Sequence, residues 1–119
     1  MVAGRHAESL PIAEEALALS ESVGGREAEV RALTVVGVDL VYVGFCEDGV
    51  ARLRQALRLA AEVGDDIGLD RAYVNFTSVL TMLGRNVEAA QLGQEGLEVM
   101  RRRGIESTLQ RLGAMFPLS

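Results

Sequence analysis

The sequence predicts an all-α fold, an α-solenoid of antiparallel helix hairpins with about six helices. Three observations carry that prediction. Glycines recur as Gly4, Gly44 and Gly84 and again as Gly24, Gly64 and Gly104, two series with one 40-residue spacing. Other positions keep the same register: Leu17, Leu57 and Leu97; Arg31, Arg71 and Arg111; Glu8, Asp48 and Glu88. Between the glycines, apolar residues return every three or four positions, the period of one helix face. A fixed repeat of this length marks stacked supersecondary units.

The elements follow in order. A first helix near 5–22 contains Pro11, which marks either a later start or a kink, because proline removes a backbone donor and clashes with the preceding turn. A second, near 26–43, includes the valine-rich run Val35–Val43. Valine favours strands, but this run is in register with Asn75–Leu83, which argues for helix. The third, near 47–63, has Val50, Leu53, Leu57, Ala60 and Ala61 on one side and Arg52, Arg54, Arg58 and Glu62 largely on the other. The fourth, near 66–83, carries Leu69, Tyr73, Phe76, Val79, Leu80 and Leu83, with Asp65 and Asp66 placed to cap its start. The fifth, near 86–102, has Asn86 as its candidate cap, and Arg101, Arg102 and Arg103 at its end offset the helix dipole. A sixth, near 105–116, bears Ile105, Leu109, Leu112, Met115 and Phe116 and stops at Pro117. Each run of about 16 residues ends at a glycine, which enters the left-handed conformation that terminates helices. The connections are two to four residues long, so neighbours pack antiparallel.

Composition agrees with that organisation. The chain has 119 residues, room for a single domain over 1–119, whole or cut from a longer protein. Apolar residues make up 49% and aromatics 4%, with no tryptophan, so the core is leucine, valine and alanine. Lys+Arg is 12 and Asp+Glu 17, a net charge of −5 that argues against a nucleic-acid or anionic-lipid surface. One cysteine, Cys46, excludes an internal disulfide and a cysteine-based zinc site. No apolar run approaches the roughly 20 residues of a membrane span, and no signal peptide is visible, so the expected location is cytoplasmic.

The small-residue pattern resembles the tetratricopeptide repeat. Leu33, Val36-Gly37, Leu40, Gly44, Gly49, Leu53 and Ala56 fit one copy. Tyr73, Phe76-Thr77, Leu80, Gly84, Ala89, Gly93 and Gly96 fit the next, and Gly4, Ser9, Ala13 and Ala16 the second half of an earlier one. The period here is 40 residues, against that repeat's 34, and the family's tryptophan and the proline after its second helix are missing. More narrowly, segments 4–24 and 56–108 look like the helical-repeat region of large bacterial ATP-binding transcription regulators of the LuxR type. That resemblance implies a protein-interaction scaffold or sensor segment. ATP binding does not carry over, since no GxxxxGK[ST] is present. Direct DNA binding does not either, since 101–111 starts no helix-turn-helix.

Nothing in the sequence points to an enzyme, a cofactor or a metal. His6 stands alone near the chain start and is expected to be exposed. Cys46 is expected to be structural or merely exposed, and Ser20, Ser22 and Ser78 have no partner base nearby in sequence. The repeat resemblance implies a concave face lined by helices 26–43, 66–83 and 105–116. Arg31, Arg71 and Arg111 would stack along one edge of that face, with Asn75 and Ser78 beyond Arg71. Thr34, Val38, Tyr42 and Met82 would complete a peptide groove, in which arginine supplies forked donors to carboxylates. In the plainer alternative, those arginines pair with Glu27, Glu29 or Asp70 and only solvate a face. The expected partner is a protein or peptide. A second copy pairing through unpartnered outer helices is one rival, and a small-molecule sensor with an apolar pocket between helices is another.

Overall fold

In a computed structural model, the structure describes residues 2–105. Among them are five helices and no strand: α1 (Val2–Val23), α2 (Arg26–Tyr42), α3 (Cys46–Val63), α4 (Asp66–Met82) and α5 (Asn86–Arg102). Each helix packs on its predecessor, and α2 also packs on α4. The valine-rich run is helical through Tyr42. The expected sixth helix, beyond Ile105, lies outside the described residues, as does Arg111. No described helix is long and apolar enough to cross a membrane.

Of the two readings of Pro11, the later helix start is not what is seen. The first helix runs from Val2 and passes Pro11 without interruption. The bond lost is the one from position 11 to the carbonyl of Ala7, and both residues are exposed, so water satisfies that oxygen.

All five described helices end with one device. Gly24, Gly44, Gly64, Gly84 and Gly104 have φ between 70° and 105°. The residue after each glycine then donates its N–H to a carbonyl five positions back: Gly25 to Ser20, Phe45 to Leu40, Asp65 to Ala60, Arg85 to Leu80 and Ile105 to Met100. These are Schellman-type closures, which satisfy the carbonyls orphaned at a helix end. The N-terminal caps are less uniform. Asp65 accepts from the Gly68 N–H at 2.9 Å. Asn86 does not act as the cap of α5. That position falls to Arg85, which makes no side-chain cap and instead forks onto Glu88 at 2.7 and 2.8 Å.

The core is aliphatic apart from Tyr73 and Phe76. Val30, Leu33, Ala56, Ala60, Leu69, Ala72, Tyr73 and Met100 belong to one cluster; Val41, Leu53, Phe76, Val79 and Leu80 belong to another. Tyr73 directs its hydroxyl to Glu95 at 3.0 Å. Burial, and then that carboxylate, push the hydroxyl pKa upward, so Tyr73 stays neutral. Arg103 reaches from the end of α5 to Asp66 at 2.7 Å, while Arg101 and Arg102 pair with Glu98. The three-arginine run is thus spent on carboxylates of this chain.

Helices α2 and α3 approach each other closely. A Cβ built on Gly49 would stand 2.5 Å from the Gly37 carbonyl oxygen and 2.5 Å from Val41 Cγ2. One built on Gly37 would stand 2.9 Å from the Gly49 oxygen and 2.7 Å from Leu53 Cγ. Backbone meets backbone here, and neither helix can carry a side chain at the crossing. Gly49→Ala is expected to destabilise the fold by about 1–3 kcal/mol through overpacking, lowering the melting temperature by several degrees. Gly4→Ala, whose Cβ would meet nothing within 4 Å, is the control. An unchanged melting temperature in Gly49→Ala contradicts the crossing.

Candidate functional site

On α2, Arg31, Val35, Val38 and Tyr42 follow one another at intervals of four, three and four, so they share a face. Gly37, pressed against α3, lies on a different side of the helix. The shared face borders an open groove of about 830 Å³ between the start of α1, the length of α2 and the first turns of α4. Its lining includes Arg5, His6 and Ser9 from α1, Arg31, Thr34, Val35, Val38 and Asp39 from α2, and Arg71 and Asn75 from α4. A volume of this order suits a short peptide or a small ligand.

Of the residues expected to form a groove, Arg31, Thr34, Val38, Arg71 and Asn75 meet here. Tyr42 sits beside it, stacked on the His6 ring with centroids 4.2 Å apart. Ser78 and Met82 lie farther along α4, exposed and outside the lining. Thr34 is buried and turns its hydroxyl back to the Val30 carbonyl at 2.9 Å, so it lends the groove a methyl rather than a donor. Asn75 donates one amide hydrogen to the Arg71 carbonyl at 2.9 Å. Its side-chain oxygen has no such tie.

The groove is cationic on an acidic chain. Among the described residues, Arg5, Arg31, Arg52, Arg58 and Arg71 each lack a carboxylate within ion-pair distance, and three of these five line the groove. Arg26, Arg54, Arg85, Arg101, Arg102 and Arg103 all have one. Arg31 and Arg71 form no ion pair with Glu27 or Glu29, two of the partners offered by the plainer alternative. The three guanidinium groups that line the groove present planar forked donors of the kind that suit an anion.

His6 is not the exposed terminal residue that its position suggests. It is half-buried, with Nδ1 at 2.5 Å from Asp39 Oδ1. An ionised carboxylate only accepts, so a bond to it requires the imidazole tautomer with its proton on Nδ1. Asp39 is only 2% exposed. Its second oxygen, Oδ2, has no hydrogen-bond partner, a property shared among the described buried side chains only with Thr77 Oγ1. Leaving such an acceptor unsatisfied costs about 1–3 kcal/mol. Sequence reasoning missed this pair because 33 residues separate its members. The available signal was Asp39 itself, a lone acid inside an apolar helical run, matched with the only histidine.

Among the described residues no group of three or more His, Cys, Asp or Glu side chains is placed to hold a metal ion. Cys46, at the start of α3, is free and half-buried. No protein-family model matches the chain, and no curated protein or solved structure matches it significantly.

Removing the imidazole leaves the Asp39 carboxylate buried with neither oxygen partnered. His6→Ala is expected to lose about 1–3 kcal/mol of stability at neutral pH, read as a lower midpoint in urea denaturation. A midpoint equal to wild type would show that the pair does not hold α1 to α2.

Proposed function

We propose that this chain is a protein-interaction module of tetratricopeptide type, a scaffold or sensor segment of a bacterial LuxR-type transcription regulator. On this reading the helix hairpins succeed one another at a 40-residue period as a short solenoid, and the groove takes an acidic segment of a partner protein. A cytoplasmic setting follows from that role. The reading involves no reaction and no cofactor. The observation that carries it is the gathering of Arg5, Arg31 and Arg71, with no carboxylate partner among the described residues, around one groove of a chain that carries −5. Unpaired arginines beside Val35 and Val38 suit a peptide that brings carboxylates together with some apolar surface. The matched glycine and leucine series support the repeat architecture, and the five equivalent glycine closures agree with it.

The test is fluorescence anisotropy with a labelled glutamate-rich peptide. Saturable binding is expected, weakened by added salt and weakened about tenfold or more when Arg31→Glu and Arg71→Glu are combined. Equal binding by wild type and the charge-reversed variant contradicts the site.

A second reading, self-association, rests on a different surface. Ile12, Leu19 and Val23 are exposed on α1 at 70%, 65% and 71%, spaced seven and four residues apart along one stripe. Contiguous apolar surface of this kind favours association. Light scattering over a concentration series is expected to show a dimer that Leu19→Glu dissociates; a persistent monomer rejects this reading.

A further inference from the structure

The groove has two chemically distinct ends. Asp39 is the only acidic residue among its described lining residues, and it is almost wholly buried. One of its oxygens is taken by His6 and the other has no donor. Arg31 lies eight residues earlier on the same helix, about 12 Å away at 1.5 Å of rise per residue, with Arg71 lining the groove from α4. Thr34, Val35 and Val38 line the stretch between. A ligand matching this layout carries a cationic hydrogen-bond donor at one end, a small or apolar middle, and carboxylates at the other end.

We propose that the groove captures the free amino terminus of an acidic peptide, with the terminal ammonium at Asp39 and acidic side chains at Arg31 and Arg71. This rests on the peptide-binding reading above and adds an orientation and a terminus to it. An ammonium supplies the donor that Asp39 Oδ2 lacks and offsets the charge of that buried carboxylate. The distance sets the spacing. An extended chain covers about 3.3–3.6 Å per residue, so 12 Å corresponds to three or four residues between the terminus and the first acid. The same arrangement also separates this ligand from one anchored only by carboxylates, which would leave Asp39 unsatisfied and facing an anion.

The test uses the full chain and a synthetic peptide of three alanines followed by three glutamates, labelled at its C-terminal end. One form has a free amino terminus, the other an acetylated one. The free form is expected to bind about tenfold or more tightly. In Asp39→Asn the two forms are expected to bind equally, while Arg31→Glu weakens both forms. Equal affinity of the two forms for wild type overturns the proposal, as does a preference for the free form that survives in folded Asp39→Asn. A third form, acetylated and carrying lysine in place of the first alanine, is expected to bind no better than the acetylated peptide. Recovery of the full affinity by that form would assign the site to side-chain ammonium groups and overturn terminus capture. The acetylation contrast in wild type decides without any variant if Asp39→Asn does not fold. Binding of both forms that is indifferent to Arg31→Glu, or no binding by either, would instead remove the peptide groove itself.

Discussion

The contact between the backbones of α2 and α3 at Gly37 and Gly49 governs the rest of the arrangement. Each glycine stands where a single added carbon would meet the other helix's carbonyl oxygen or a packed side chain. At that separation Leu53 and Val50 from α3 reach past α2 into the cluster that holds Phe76 and Leu80 of α4. Helix α2 is thereby held on one side by α3 and α4, and on another by α1. The side that remains carries Arg31, Val35 and Val38. The groove is what is left over when the most valine-rich helix of the chain is enclosed on its other faces.

Its chemistry follows from the same enclosure. A carboxylate driven into a helix interface is costly unless it is paired, and Asp39 obtains one partner from the first turns of α1. That bond, with the stack of His6 on Tyr42, ties the start of α1 to the end of α2 and forms one end of the groove. The arginines are a different case. Exposed guanidinium groups are cheap to leave unpaired, because water solvates them well, and the surface pairs that other arginines form are of small energetic weight. The gathering of three arginines along one groove therefore bears on binding more than on stability.

The helical architecture was legible in the sequence to within a few residues. The glycine spacing located every described chain reversal, and the three-and-four periodicity of Leu69, Tyr73, Phe76, Val79 and Leu80 matched the buried face of α4. Local rules failed where tertiary context outweighed them. Proline inside α1 did not break the helix, because the carbonyl it leaves unpaired is on the exposed side. Asn86 has the side chain of a helix cap, yet Arg85 holds the cap position. The register of Arg31 and Arg71 was enough to place both on one face. It gave no hint of His6 and Asp39, whose meeting depends on how far α1 slides along α2. Periodicity defines which side of a helix is buried; it does not define the axial offset of two neighbouring helices.

The crossing of α2 and α3 is tested most directly by alanine at Gly37 and at Gly49, singly and together, with stability read from denaturant unfolding. If the two backbones touch, the first methyl group already forces the helices apart and the second adds little. The double variant then loses less than the sum of the two single losses, by more than the roughly 0.5 kcal/mol typical of independent sites. Losses that simply add would mean that the two glycines do not face one another, and α2 would not be held as described.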